Sequence, residues 1–195
     1  MDLTDYLGVL RKRWSTIVLI ALLTLGAAVA LTLSAVPQYT ATTRMFFAAE
    51  GGESISDLNQ GSTFAERQMV SYAAVAASPM VLDPVIEDLG LDVQAHELAG
   101  ALTATILPNS VILDIAATDE DPELAADLAD AVADELSAVA EDLSPERSDG
   151  TQPVQATIVT EARVPTEPSA PNTVLNVALG LVFGVLLGTV TAVAR

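Results

Sequence analysis

The chain has 195 residues, and it contains no cysteine and one histidine, His96. The absence of cysteine excludes disulfide bonds and thiolate metal sites. One histidine is too few for a metal site of several imidazoles, and we predict no serine triad around it. The glycine-rich phosphate loop GxxxxGK[ST] is also absent. We therefore predict a protein that is not an enzyme, with no catalytic residue, cofactor or metal.

Basic residues are scarce, with eight Lys and Arg against 26 Asp and Glu, and the net charge is −18. Segment 37–172 holds four arginines and 24 acidic residues, a net charge of −20. No basic stripe could neutralise phosphates, which excludes nucleic acid as a partner. Four acidic residues recur along one helical face: Glu123, Asp127, Asp130 and Asp134. We interpret them as a solvated helix face, and cation or polymer sensing is the alternative.

Long apolar runs are present where charge is absent, at residues 16–36 and 173–194. Each has about 21 residues and would span roughly 31 Å as a helix, the thickness of a bilayer core. Both are predicted to be transmembrane helices in the lipid bilayer. A cleaved signal peptide is the alternative for the first run, but Leu33 disfavours the cleavage pattern. A lipid-anchor signal is the alternative for the second, which lacks a clear polar spacer.

Positive charges flank the two apolar runs and predict their orientation. Arg11, Lys12 and Arg13 precede the first run, and Arg195 follows the second. Short flanks rich in Lys and Arg stay in the cytoplasm, and Trp14 fits an interfacial anchor. We predict a two-pass protein of the plasma membrane with both termini cytoplasmic. The predicted segments are 1–15 cytoplasmic, 16–36 membrane, 37–164 extracytoplasmic, 165–172 a proline-rich collar, 173–194 membrane and 195 cytoplasmic.

The exterior segment has the pattern of an α+β domain. The predicted elements are a strand at 39–47, helices at 62–77 and 79–89, a short helical turn at 96–100, a hairpin of 102–107 with 111–117, a helix from Pro122 to about Leu143, and a strand at 154–164. Asp121 suits an N-cap, Pro122 the first helical position and Gly90 a C-cap. This order predicts a small sheet covered by helices between two transmembrane helices.

The apolar periodicity predicts which side chains of the helices are buried. The expected positions are Phe64, Met69, Val70 and Ala74 in the first helix, then Met80, Val81, Leu82, Val85 and Ile86 in the second, and Leu124, Leu128, Val132, Leu136, Val139 and Leu143 in the long helix. In the long helix this is one narrow apolar stripe.

The last 31 residues carry two repeated features. Three prolines recur every third residue: Pro165, Pro168 and Pro171. They favour either a polyproline II collar with a proline edge or a plain stiff linker. Three glycines recur every fourth residue: Gly180, Gly184 and Gly188. This spacing lets another helix approach closely in lipid and predicts helix packing or oligomerisation.

The whole pattern resembles the chain length determinant, or polysaccharide co-polymerase (Wzz-type), family. The similar stretches are Asp5-Tyr-Leu7, Arg11-Lys-Arg-Trp14, Pro37-Gln-Tyr-Thr-Ala-Thr42, residues 78–91, Val111-Ile-Leu-Asp-Ile115 and residues 121–130. The proline-rich stretch before a glycine-striped second helix is similar as well. The exterior segment is short beside members with a long coiled-coil arm, and Asn172 stands where many members have lysine.

The resemblance implies a non-catalytic regulator of capsular or exopolysaccharide chain length and export. It implies a homo-oligomeric ring that works with a polysaccharide polymerase, and a separate cytoplasmic tyrosine kinase as a further partner. It also implies a short form without a fused kinase domain. Two alternatives stay open, a signalling adaptor that modulates such a kinase and a membrane-tethered structural module.

Overall fold

The computed structural model describes residues 13–49, 69–108, 110–143 and 154–194. In chain order the elements are α1 (Trp14–Ser34), β1 (Tyr39–Ala49), α2 (Met69–Ala76), α3 (Pro79–Asp88), α4 (Ala95–Ala101), β2 (Leu102–Ile106), β3 (Ile112–Asp119), α5 (Pro122–Leu143), β4 (Val154–Thr160) and α6 (Thr173–Ala194). The predictions on Arg11, Lys12, Phe64 and Arg195 lie outside the described residues.

The chain divides into two compact units, one of Met1–Pro37 with Ser169–Arg195 and one of Gln38–Pro168. The first unit, here the membrane unit, contains α1 and α6. Both helices are long and apolar enough to cross a membrane. Helix α1 ends at Ser34, two residues earlier than predicted, and Ala35 is extended. Pro37 disfavours Val36 in the helix, because a proline disfavours helical conformation at the residue before it.

The second unit, here the α+β unit, is built on a four-stranded sheet of order β2-β3-β1-β4. All three neighbouring pairs are antiparallel. The predicted hairpin of β2 and β3 is confirmed, with Leu102 opposite Ala117 and Ile106 opposite Leu113. The register of β1 against β4 shifts between Arg44 and Met45. The predicted α+β class is therefore confirmed.

One face of this sheet forms the core because the strands alternate in burial. In β1, Thr43, Met45 and Phe47 are buried while Thr42 and Arg44 are exposed. The matching positions of β3 are buried as well: Leu113, Ile115 and Ala117. Successive side chains of a strand point to opposite faces, so a period of two covers one face and opens the other.

Helix α5 packs on the buried sheet face and contributes nine buried residues, more than any other element among the described residues. The predicted stripe is confirmed at four positions: Leu128, Val132, Leu136 and Val139. Leu143, at the end of the helix, is 48% exposed, so its predicted burial is wrong. The buried surface is also wider than predicted, because alanines flank the stripe: Ala125, Ala126, Ala129, Ala133 and Ala140. The predicted stripe consists of large apolar side chains, so it does not include these alanines, which are buried beside it.

Helix α2 presents a different face to the core than predicted. Val70 and Ala74 are exposed, so their predicted burial is wrong. Met69 is buried as predicted, whereas Tyr72 and Ala76 are buried in place of Val70 and Ala74. The buried face of α2 therefore lies on the side of Met69 and not of Val70, and neighbouring residues differ by about 100° around a helix of 3.6 residues per turn. Tyr72 stacks on Phe47 of β1 with ring centroids 4.9 Å apart, and this contact sets the rotation.

Helix α3 begins and ends as the sequence predicts. Pro79 is at the start, and Gly90 follows the helix with φ of 62°. The amide of Leu91 donates to the carbonyl of Ile86 at 3.0 Å, which closes the C-terminal cap. Val81, Leu82 and Val85 are buried, whereas Met80 is 57% exposed and its predicted burial is wrong. Met80 lies in the first turn, just outside the face that contacts the core.

Candidate functional site

The glycine stripe of α6 lies directly against α1. A Cβ atom added at Gly180 would lie 2.6 Å from the Ala28 Cβ, and one at Gly188 would lie 2.9 Å from the Ile17 Cα. At Gly184 it would lie 2.8 Å from the Ala21 Cα and would collide with the Thr24 hydroxyl. Because the obstacle at Gly184 and Gly188 is backbone, a larger residue requires the helices to separate.

A polar contact joins the same two helices at one end. The Asn176 side-chain amide donates to the Thr32 hydroxyl at 3.2 Å. The Thr32 hydroxyl donates in turn to the Ala28 carbonyl at 2.8 Å. Asn172 caps α6, since its side-chain oxygen accepts from the Leu175 amide at 3.0 Å. Asn172 thus has a local structural role as the N-cap of α6.

The order of these contacts along α6 is the reverse of their order along α1. Thr32 meets Asn176 near the end of α1, and Ile17 meets Gly188 near its start. Helices α1 and α6 are therefore an antiparallel pair, here the span pair. The glycine face is occupied within one chain. Its predicted role in association between chains is untested and stays a prediction.

The proline-rich collar contributes no helix or β-strand to the described structure. Pro165 and Pro168 belong to the α+β unit and Pro171 to the membrane unit, just before the Asn172 cap. Whether the collar acts as more than a linker stays a prediction. Trp14 is the first residue of α1 and is 65% exposed, and its interfacial role also stays a prediction.

Asp130 joins three parts of the α+β unit and was not predicted to do so. One carboxylate oxygen accepts from the Thr43 hydroxyl of β1 at 2.5 Å and from the Ala162 amide at 2.8 Å. Thr43 is fully buried. Glu123, Asp127 and Asp134 are exposed, as a solvated helix face predicts. Asp130 is therefore a connection between α5, β1 and the segment that leads to the collar, and its interpretation as merely solvated is wrong.

An ion pair lies on the sheet face away from α5. The Arg44 Nε and Nη2 atoms donate to the two carboxylate oxygens of Asp114 at 2.6 and 2.7 Å. The hydrogen bond that Arg44 donates to Asp114, and then the negative charge of Asp114, raise the pKa of Arg44 above its ordinary value. Arg44 thus remains cationic at any physiological pH, and its charge is neutralised by Asp114.

The described ranges give no arrangement suited to chemistry at a metal. Within residues 13–49, 69–108, 110–143 and 154–194, no three His, Asp or Glu side chains converge as ligands would. His96 lies exposed on α4. The other features of these ranges are surfaces and contacts: the span pair, the Asp130 connection and the two faces of the α+β unit.

Comparison with known proteins relates the first part of the chain to one family. Residues 1–89 match the family described as chain length determinant protein (Wzz). Over these residues the chain is similar to that family. The match runs from the first residue through the end of α3, so it includes α1, β1 and the first helices of the α+β unit. The resemblance read from the sequence is confirmed.

Two of the named proteins that are similar to this chain match it over almost its whole length. The capsular polysaccharide biosynthesis protein CpsC of Streptococcus pneumoniae is 26% identical over 188 residues, covering 95% of this chain and 79% of CpsC. CpsC of Streptococcus agalactiae is 28% identical over 199 residues, covering 95% and 80%. The probable capsular polysaccharide biosynthesis protein YwqC of Bacillus subtilis is 27% identical over 120 residues, covering 58% and 44%.

Proposed function

We propose that this chain regulates the length and export of a capsular or secreted polysaccharide without itself catalysing polymerisation. The match of residues 1–89 to the chain length determinant family carries the proposal. The names of the streptococcal and Bacillus relatives support polysaccharide as the substrate of the system. The α+β unit between two apolar helices fits a regulator that acts through contacts.

The proposed orientation places both termini in the cytoplasm and the α+β unit outside. The antiparallel span pair supports one half of this, because it brings both ends of the chain to the same side of a bilayer. The basic cluster of Arg11, Lys12 and Arg13, with Arg195 at the other end, supports the cytoplasmic side. The strongly acidic segment 37–172 then faces the medium.

In this proposal the span pair is the part of the chain that contacts other membrane proteins. Its glycine contacts hold α1 and α6 at backbone distance, so the two helices move as one body. The proposed partners are further copies of the chain and a polysaccharide polymerase, with a cytoplasmic tyrosine kinase as a further partner at the termini. A kinase-directed adaptor is the competing function, and it predicts altered kinase phosphorylation with unaltered polymer length.

The test is deletion of the gene that encodes the chain, followed by sizing of the surface polysaccharide on gels. We expect a changed length distribution or amount in the deletion, and restoration by the wild-type chain. The non-catalytic part is checked by incubating the purified chain with isolated polysaccharide, which should keep its length. Unchanged polysaccharide in the deletion, together with altered phosphorylation of a tyrosine kinase, would favour the adaptor.

A further inference from the structure

The sheet of the α+β unit has one face on which none of the described helices packs. This face, here the open face, consists of the outward positions of the four strands: Thr40, Thr42, Arg44, Phe46, Thr103, Thr105, Ile112, Asp114, Ala116, Thr118, Gln155 and Thr157. Half of these residues are threonines. A threonine fits a strand through its branched side chain, and on a solvated face it also presents a hydroxyl group. The open face is therefore rich in hydroxyl groups.

Several of these hydroxyl groups are available to a ligand. The threonines that are exposed and make no side-chain hydrogen bond within the described residues are Thr42, Thr103, Thr105 and Thr157. The hydroxyls of Thr40 and Thr118, in contrast, bond to each other at 2.8 Å. Thr42 and Thr103 both lie opposite Ala116, one on each neighbouring strand. Because the alanine side chain is small, these three positions form a shallow trough with a hydroxyl group on either side.

The open face also carries an aromatic ring and an ion pair. Phe46 is 38% exposed and lies opposite Ile112 on the neighbouring strand. Arg44 and Asp114 are joined by two hydrogen bonds of 2.6 and 2.7 Å. A guanidinium group has five N–H donors, so three of them remain for another partner, as do further lone pairs of the carboxylate. The pair thus offers donors and acceptors at fixed positions without net charge.

Charge is distributed unequally between the two sides of this unit. The charges of Arg44 and Asp114 cancel on the open face. The helix side carries a series of exposed or half-buried acids: Asp83, Glu87, Asp88, Asp127, Asp134, Glu135, Glu141 and Asp142. An anionic polymer is therefore repelled by the helix side and meets no net charge on the open face. A neutral polymer meets no charge barrier there either.

These features disfavour two classes of ligand and favour a third. Nucleic acid needs cationic groups against its phosphates, and the one arginine of the open face is already neutralised. Four strands about 4.8 Å apart, with outward positions that span about six residues of 3.4 Å, give a face of roughly 300 Å². A stable protein partner needs about 800 Å². The hydroxyl groups of a polysaccharide both donate and accept, as threonine does, and its C–H groups pack on an aromatic ring. Strands of other β-folds bind oligosaccharides on such a face.

We propose that the open face binds a segment of polysaccharide chain. The inference rests on the proposed function, and it names the surface that contacts the polymer. Phe46 packs against the C–H groups of one sugar ring. The hydroxyls of Thr42 and Thr103, with the remaining donors of Arg44, form hydrogen bonds to sugar hydroxyl groups. One shallow face binds weakly, but a long polymer engages the faces of several chains in one membrane, which raises the apparent affinity.

Thiol protection tests the proposal directly, because the chain has no native cysteine. Thr42→Cys places a thiol in the centre of the open face, and Ala138→Cys places one on the exposed side of α5. The full chain in lipid nanodiscs is labelled with a maleimide, with and without surface polysaccharide purified from the strain that carries the gene. We expect the polysaccharide to slow labelling of Thr42→Cys several-fold and to leave labelling of Ala138→Cys unchanged. No protection of Thr42→Cys, or equal protection at both positions, would overturn the proposal.

Removal of side chains adds a readout that needs no label. Phe46→Ala, and separately Thr42→Val with Thr103→Val, should weaken binding of the purified polysaccharide to the chain in nanodiscs several-fold in biolayer interferometry. The matched controls lie on α2, where Val70→Ala removes an exposed apolar side chain and Ser71→Ala an exposed hydroxyl. Both controls should bind as the wild type does. Valine keeps the shape and strand preference of threonine, so the double variant decides the question should Phe46→Ala fail to fold. Wild-type affinity of the folded double variant would overturn the proposal.

Further outcomes separate this inference from the proposed function and from other occupants of the open face. If deletion of the gene changes polysaccharide length but Thr42→Cys is not protected, the binding surface is wrong and the proposed function stands. If Thr42→Cys is protected but deletion leaves length and amount unchanged, the proposed function is wrong and this inference stands. If polyacrylate, a polyanion without sugar rings, protects Thr42→Cys equally, the face does not recognise glycan and the proposal is overturned. If labelling slows with more chains in each nanodisc and not with polysaccharide, another copy covers the face, which also overturns it.

Discussion

Removal of the Asp130 carboxylate should destabilise the α+β unit more than removal of its exposed acidic neighbours. Asp130→Ala leaves two donors without their acceptor, the Thr43 hydroxyl and the Ala162 amide. Each buried donor that loses its partner costs about 1–3 kcal/mol. Thr43 is fully buried and bears the full cost, whereas Ala162 is half-buried and water can replace part of its bond. We expect a loss of about 2–4 kcal/mol, a large part of a typical domain stability of about 5–15 kcal/mol.

Asp130→Asn separates the geometry from the charge. The amide keeps an acceptor oxygen at the same place, so both bonds can persist in the weaker neutral form. Its expected cost is about 1 kcal/mol, since a neutral hydrogen bond contributes less than a charge-assisted one. Thr43→Val removes the hydroxyl donor, and in combination with Asp130→Ala it should add less than the two single losses summed.

Calorimetric unfolding of the full chain in detergent, with hydrogen exchange of a peptide that includes residue 162, measures these effects. Asp127→Ala is the matched control, because it removes an exposed acid from the same helix. Its expected effect is within about 0.5 kcal/mol. We expect faster exchange at Ala162 in Asp130→Ala but not in Asp127→Ala. An Asp130→Ala stability equal to that of Asp127→Ala would refute the proposed connection between α5, β1 and the collar segment.

Three further substitutions test the other contacts. Gly188→Ala should lower the thermal midpoint of the chain in detergent, because its Cβ would lie 2.9 Å from the Ile17 Cα, whereas Gly26→Ala, which meets nothing within 4 Å, should not lower it; equal midpoints would contradict the close helix contact. Asn176→Leu should weaken the span pair by about 0.5–2 kcal/mol in detergent unfolding, since the bond to Thr32 is lost, and a stability unchanged from wild type would argue against that bond. Gly90→Ala should lower the free energy of unfolding by about 1–2 kcal/mol, because φ is 62° there. Gly100→Ala inside α4 should raise it by about 0.5–1 kcal/mol. The opposite ranking in calorimetry would disprove the C-cap at Gly90.

The β2–β3 hairpin and the limits of α3 were predictable because they depend on local rules, whereas the last strand ends at Thr160 and not at the predicted residue 164. Alternation of apolar residues predicted the hairpin of β2 and β3, and Pro79 with Gly90 predicted the limits of α3. The rotation of α2 was not predictable in the same way. Its buried face is selected by the stacking of Tyr72 on Phe47, which are distant in sequence.

The candidate sites likewise combine features that local sequence predicted with features that depend on contacts between distant residues. The spacing of Gly180, Gly184 and Gly188 predicted a close helix contact of some kind, but not that α1 of the same chain occupies the glycine face. Asp130 belongs by sequence to a uniform acidic stripe. Its bond to Thr43, 87 positions away, depends on how α5 lies across the sheet. The placement of α5 across the sheet depends on the buried alanines of this helix. The pattern of large apolar residues in the sequence does not separate these buried alanines from the solvated face.

The central claim is that this chain sets polysaccharide length through its membrane-anchored structure. The most direct measurement is the length distribution of surface polysaccharide in a deletion strain complemented with wild type, Gly184→Leu or Gly26→Leu, at matched membrane levels. Gly184 is buried against α1, and Gly26 meets nothing within 4 Å. We expect the wild type and Gly26→Leu to restore the distribution and Gly184→Leu to leave it as in the deletion. Identical distributions in the deletion and in all three complemented strains would contradict the claim.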